Sequence, residues 1–163
     1  MESLEQMIAK LLIALAVGLF IGIERESAGK EAGIRTLMLV SAGSTIFTIV
    51  ALALPYLVAT SPENLPEVVA RNSGFLTIIA NIAVGIGFLG AGIIIKTQEH
   101  IQGLTTAATI WTTAAIGVLV GLGLTKFALI SAISIVALLY LTRKIRVSER
   151  IDKDFPGKDG DQN

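Results

Sequence analysis

The chain contains no cysteine and a single histidine, His100. The first absence removes disulfides, thiolate nucleophiles and zinc–thiolate sites together and leaves the redox compartment open. The second leaves a lone loop imidazole without a partner at metal-ligand spacing, so His100 is assigned no role. Charge is also scarce. Only 16% of the 163 residues are Asp, Glu, Lys or Arg while 53% are hydrophobic, and a soluble domain, which carries about 25% charged residues, would lack polar surface at this composition. With 13 basic and 13 acidic residues the net charge is zero, and no long basic face is present, so nucleic acid is excluded as a partner. The start, MESLEQMIAK, is acidic where a signal peptide is basic, and no small-residue cleavage site precedes Glu24-Arg25-Glu26. That segment is expected to remain in the mature protein.

What the chain does have is long, unbroken apolar runs. A hydrocarbon layer about 30 Å thick needs roughly 17–25 apolar helical residues, and only helices or closed barrels satisfy the backbone there. The runs are continuous rather than alternating, which excludes a barrel. The expectation is an all-α integral membrane protein, a bundle of about five transmembrane helices at 7–23, 37–58, 74–95, 104–124 and 127–141. These make one transmembrane domain over 1–142, followed by a charged cytoplasmic tail over 143–163, basic at its start and disordered at its end. Ten basic residues flank one side of these spans and three (Lys10, Arg71, Lys126) the other. By the positive-inside rule the N-terminus is outside and the C-terminus cytoplasmic. The stretch 59–73, with Pro62 and Pro66, is expected to be an exposed external connection.

Gly85-Ile-Gly87-Phe-Leu-Gly90 fits GxGxxG, but a dinucleotide site needs a preceding strand and an acid about 20 residues on, where this chain has Ile110. Gly85, Gly87, Gly90 and Gly92, with the GxxxG pairs Gly18/Gly22 and Gly117/Gly121, read instead as helix-packing positions. Tight packing of span one on span three would gather Glu24, Arg25, Glu26, Arg35, Thr105 and Thr106 into one cytoplasmic-end cluster. Within it, Glu24 and Glu26 are hard oxygen ligands of the kind Mg²⁺ accepts, so they are the candidate metal ligands, although the neighbouring arginines oppose a simple cation cage. Asn81, a polar side chain well inside a span, is expected to bond across helices. The threonines at 105, 106, 109, 112 and 113 suggest either a polar path or hydroxyls bonded to their own backbone. Trp111 is expected to pack.

Taken together, GLFIGIERE at 18–26, AGIRT at 32–36, VGIGFLGAGIII at 84–95 and GLTTAATIWTTAAIG at 103–117 resemble the membrane domain of the MgtC/SapB family over roughly residues 10–125. The resemblance implies a five-helix hydrophobic domain in a bacterial inner (plasma) membrane, a link to growth at low magnesium and to intracellular survival of pathogens, and modulation of a proton-driven ATP synthase. The chain departs from the family's pattern at Gly74, Thr77 and Asn81, where many relatives carry an Asp-x-x-Arg pair and a Gln, and at Thr105, where some carry Asn. The ACT-like cytoplasmic domain of longer members is expected to be missing. Glu24, Arg25, Glu26, Arg35, Thr106 and Trp111 match.

The resulting expectation is a non-enzymatic regulator of magnesium or proton-motive homeostasis without a cofactor. It would be embedded in the bilayer as a homo-oligomer, with a dimer favoured, and would bind another membrane protein such as an ATP synthase or a cation transporter. The alternative is an oligomeric transporter or channel for a divalent cation such as Mg²⁺, against which the scarcity of mid-membrane carboxylates weighs. An intramembrane enzyme is disfavoured, because no nucleophile–base pair or His/Asp cluster is visible.

Overall fold

The computed structural model describes residues 2–59, 61, 63–71, 74–96 and 101–154. Its elements are α1 (Leu4–Ser27), α2 (Ile34–Val58), α3 (Leu65–Arg71), α4 (Gly74–Ile93), β1 (Ile95–Lys96), β2 (Ile101–Gln102), α5 (Leu104–Gly121) and α6 (Thr125–Asp154). Among the described residues, four helices are long and apolar enough to cross a membrane: α1, α2, α5 and the Thr125–Ile145 part of α6. A further apolar helix, α4, runs for 20 residues.

Local sequence explains where these helices start and stop. Ser3 and Gln6 form a reciprocal capping box at the start of α1, each side chain bonding the other's backbone N–H at 3.3 and 3.0 Å. At the other end Gly29 takes a positive φ of 64° and turns the chain into a short loop toward α2. Pro55 stands inside α2 near its end, where one missing backbone bond is tolerated, and Pro66 lies in the first turn of α3. The stretch expected as a bare external connection thus contains a short helix. Nor does the third span reach residue 95, because Ile95 and Lys96 pair antiparallel with Gln102 and Ile101. Gly103 closes that hairpin with φ +86°, and a Cβ there would lie 2.4 Å from the Ile93 carbonyl oxygen. His100 lies outside the described residues. The last span is longer than expected: α6 runs for 30 residues, about 45 Å, so it outreaches a hydrocarbon core of about 30 Å and carries the start of the tail as helix.

Packing follows the small residues. An added Cβ at Gly18 would lie 2.5 Å from the Leu37 carbonyl oxygen, and one at Gly22 would lie 2.5 Å from Ile34 Cα, so α1 and α2 touch backbone to backbone. At Gly117 the same atom would meet the Ser41 carbonyl at 2.4 Å, and at Gly121 the Thr48 Cβ at 2.5 Å, which seats α5 on α2. The expected seam of span one on span three does not form. The short 28–33 loop returns α2 directly along α1, whose glycine face is then filled by α2, while α4 lies against α5 and α2. An added Cβ at Gly90 would make ordinary contact with Ala107 Cβ at 3.4 Å, whereas one at Gly85, Gly87 or Gly92 would meet nothing within 4 Å among the described residues. The apolar core gathers Val17, Ile21, Leu37, Ile110, Ile116 and Val120.

A band of buried hydroxyls runs through the α2–α5 contact: Ser41, Ser44, Thr45 and Thr48 on one side, Thr106, Thr109 and Thr113 on the other. Thr45 Oγ1 lies 2.9 Å from the Ser41 carbonyl of its own helix and 2.8 Å from the Gly117 carbonyl of α5, so it binds the two helices together. Thr109, Thr112 and Thr113 donate to carbonyls of α5 itself, which accounts for their hydroxyls without a polar path. Trp111 is 49% exposed, since it lies beside and not on the face formed by Thr106, Thr109, Ile110, Thr113 and Gly117.

Candidate functional site

The C-terminal end of α1, the loop 28–33, the N-terminal ends of α2 and α5, and α6 around residue 143 converge on one region. Helical geometry separates the ERE motif of α1, because residues two apart point about 200° apart around the axis. Glu26 is exposed and turns toward α2, where its Oε2 accepts the Ile34 backbone N–H at 3.0 Å. Position 33, the N-cap of α2, is a glycine with no side chain to offer. The Glu26 carboxylate therefore acts as a remote N-cap, satisfying an orphan donor at the positive end of the helix dipole.

Arg25 points inward and is 3% exposed. Its Nη2 donates to Thr106 Oγ1 at 3.0 Å, and that hydroxyl donates onward to Glu31 Oε2 at 3.1 Å. One threonine thus links α1, the first loop and the first turn of α5. The Glu31 carboxyl is held below its ordinary range by hydrogen bonds from its own backbone N–H and from Thr106, which outweigh desolvation, with smaller favourable contributions from the charges of Lys30 and Arg25. Glu24 is buried, and its Oε1 lies 4.0 Å from Arg143 Nη1 on α6. Arg143 also lies 5.8 Å from the centroid of the Tyr140 ring. Two atoms of this buried group, Glu24 Oε2 and Arg25 Nε, have no hydrogen-bond partner among the described residues.

The expected cluster therefore divides. Arg25 and Thr106 share a buried hydrogen bond and Glu24 is buried next to Arg25, whereas Arg35 and Thr105 are exposed. Glu24 and Glu26 do not form a joint cation site, because one faces Arg143 and the other the α2 N-terminus, and among the described residues no group of three or more His, Asp or Glu could hold a metal. Asn81 makes no hydrogen bond among the described residues. It lines a groove of about 520 Å³ between α2 and α4 with Leu39, Gly43, Ser44 and Phe47, so α2 offers the amide an open channel instead of a partner across the helices. Glu31 and Arg143 escape a reading by motif. Each was legible only as a charge near the end of a span, Glu31 as the third acid after Glu24 and Glu26, and Arg143 as the first charge after the last span. The buried hydroxyls of α2 did carry a signal, because Ser41, Ser44, Thr45 and Thr48 recur at helical spacing on one face.

At the opposite end, Lys10 donates to the Gly121 carbonyl at 2.8 Å and pairs with Glu2, so a cation closes the negative end of α5.

Comparison with known proteins places these residues in a family. The model of the MgtC family matches residues 11–148. Protein SrpB of Synechococcus elongatus is 40% identical over 129 residues, covering 74% of this chain and 66% of that protein. Protein MgtC of Salmonella typhimurium is 38% identical over 146 residues, covering 90% of this chain and 55% of that protein, and Protein MgtC of Brucella abortus is 37% identical over 132 residues, covering 81% and 49%. The chain thus spans about half to two thirds of the length of these relatives. No solved structure matches. With the matched region running from within α1 to within α6 and taking in every residue of the buried ionic network, the chain is a membrane protein that belongs to the MgtC family.

Proposed function

We propose that the chain crosses a bacterial inner membrane five times, through α1, α2, α4, α5 and α6, with its N-terminus outside and its C-terminus in the cytoplasm. There it acts as a non-enzymatic regulator of magnesium or proton-motive homeostasis by binding another membrane protein, such as an ATP synthase or a cation transporter, through its cytoplasmic end. The observation that carries this reading is the Arg25–Thr106–Glu31 network. It ties two of the family's motif regions to the loop between α1 and α2, beside the exposed groups Arg35, Thr105 and Glu26. Membership of the MgtC family supports the magnesium link. Transport of a divalent cation is less well supported, since Glu24 and Glu26 are committed to different partners.

We further propose a homodimer formed through α4. Ala83, Gly87 and Ala91 recur every four residues and are exposed, and Gly87 meets nothing in its own chain. Such a small-residue stripe lets two membrane helices approach closely.

Orientation is checked by labelling. Single cysteines at the exposed positions Ser27 and Glu63, in a chain with no native cysteine, are expected to react from opposite sides of intact membranes; reaction from the same side would refute the proposed topology. The regulatory reading is tested on the exposed groups, where no buried contact is lost. Arg35→Gln combined with Thr105→Val is expected to abolish rescue of growth at low magnesium at unchanged membrane abundance. Full rescue by this double variant would remove the cytoplasmic end from the function.

A further inference from the structure

The groove between α2 and α4 is opened by two positions without a side chain. Gly43 of α2 and Gly85 of α4 both line it, and an added Cβ at either would meet nothing within 4 Å among the described residues. Its volume of about 520 Å³ falls within the roughly 300–1,000 Å³ of ordinary small-molecule sites. The walls are otherwise apolar, with Val40, Ile82 and Ile86, and with Phe47, which is 59% exposed. No charged residue stands among its described lining residues.

Two polar side chains interrupt these walls, Ser44 of α2 and Asn81 of α4, and neither makes a hydrogen bond among the described residues. Ser44 is 3% exposed, so its hydroxyl has no bulk solvent to turn to. Both lie deep. Counted from the helix ends that the proposed topology puts at the cytoplasmic face, Ser44 is ten residues from Ile34 and Asn81 twelve from Ile93, about 15 and 18 Å at 1.5 Å per residue. That is near the middle of a hydrocarbon core about 30 Å thick, where an unpaired amide or hydroxyl is costly.

The setting selects the ligand. It must enter from the hydrocarbon, be uncharged, because charge at this depth is expensive, and carry a polar group that reaches mid-membrane. A phospholipid keeps its polar groups at the interface, and its tails offer nothing to an amide. A second copy of the chain is a poorer occupant, because the small-residue stripe through Gly87 lies about 120° around α4 from Asn81.

We propose that the groove binds an isoprenoid quinone, a neutral ring with carbonyl groups on an apolar tail. The ring carbonyls accept from the Asn81 amide N–H and the Ser44 hydroxyl, which are donors on opposite walls. Phe47, three residues on from Ser44 and so on the same side of α2, offers the ring an aromatic neighbour. In the quinol form the ring hydroxyl donates to the Asn81 amide oxygen instead, so the site accepts both redox forms. No bond is made or broken in binding.

The proposal rests on α4 crossing the membrane. A spin label on a cysteine at Ala80, exposed on α4, checks that separately, by contact with oxygen rather than with a water-soluble nickel chelate. Binding is tested by titrating purified full-length protein in nanodiscs with a benzoquinone carrying one isoprene unit, against empty nanodiscs. Saturable binding is expected for the wild type and for Gly87→Leu, outside the groove. Gly43→Leu and Gly85→Leu fill the groove without meeting backbone and are expected to abolish binding at unchanged melting temperature. Asn81→Leu is expected to weaken it about tenfold, the size of one hydrogen bond; should Gly43→Leu unfold, Gly85→Leu and Asn81→Leu carry the test. Wild-type uptake no greater than that of empty nanodiscs would overturn the proposal. So would binding indifferent to Gly85→Leu or Asn81→Leu, or equal displacement of the quinone by farnesol, an isoprenoid alcohol without a ring. Loss of the dimer in Gly85→Leu would give the groove to a second copy and overturn the proposal too.

Discussion

Replacing Gly18 or Gly117 by leucine is expected to abolish the folded protein, seen as loss of the monodisperse peak and of the thermal transition in detergent. Even one added carbon would sit 2.5 Å from the Leu37 carbonyl oxygen at Gly18 and 2.4 Å from the Ser41 carbonyl at Gly117. Both obstacles are backbone, so no rotamer change relieves them and whole helices must separate. Overpacking a soluble core by a methylene or two typically costs about 1–3 kcal/mol. Here the cost exceeds that range, because separation also breaks the Thr45 bridge between α2 and α5 and forfeits contacts that in lipid are the main source of helix association. The control is Gly87→Leu. An added carbon at Gly87 meets nothing within 4 Å, so the fold should survive at wild-type stability while the proposed dimer weakens. If Gly18→Leu and Gly117→Leu both melt like the wild type, the close α1–α2 and α2–α5 contacts are wrong. A destabilised Gly87→Leu monomer would show that α4 is packed on its other face.

Arg25→Gln is expected to be the most damaging single change among the charged residues, lowering stability by about 3–5 kcal/mol, the usual consequence of removing one partner from a buried ionic group. The loss has two parts. Thr106 loses its donor, and the buried Glu24 and the Glu31 carboxylate lose a neighbouring positive charge. Thr106→Val should cost less, about 1–3 kcal/mol, because the charges remain. Since the two side chains share one hydrogen bond, the double variant should be less destabilised than the sum of the singles. Denaturant or thermal unfolding of the four proteins of this cycle measures that coupling. Arg35→Gln, at an exposed position with no ion pair among the described residues, should stay within about 0.5 kcal/mol of the wild type. Strictly additive Arg25→Gln and Thr106→Val effects would show that the 3.0 Å bond does not hold α1 to α5.

These two experiments probe the same division of labour from different ends. Gly18, Gly22, Gly117 and Gly121 bring α1, α2 and α5 close enough for Arg25 of one helix to reach Thr106 of another. That network in turn fixes the first loop, so that Glu26 can cap α2 at a position where the chain supplies only glycine. Arg35, Thr105 and the exposed face of α4 contribute nothing visible to this framework, and so they can be altered to test function without unfolding the protein.

Apolar run length alone determined that the chain is helical and membrane-embedded, because hydrocarbon offers the backbone no other partner and that constraint acts on each segment separately. The same local logic located the ERE and TTAAT motifs and picked out Gly18, Gly22, Gly117 and Gly121 by their spacing. Which helix meets which glycine was decided only in three dimensions. A GxxxG face fits any close neighbour, and the short loop 28–33 gave that place to α2 rather than α4, leaving Gly85, Gly87 and Gly92 open and Asn81 without a partner across the bundle. Charge, too, was visible in the sequence without its pairing. Nothing in the spacing of Glu24 and Glu26 says that one is buried facing an arginine 119 positions away while the other caps the next helix, because two carboxylates on nearly opposite sides of α1 take their partners from whatever α2 and α6 bring to those sides.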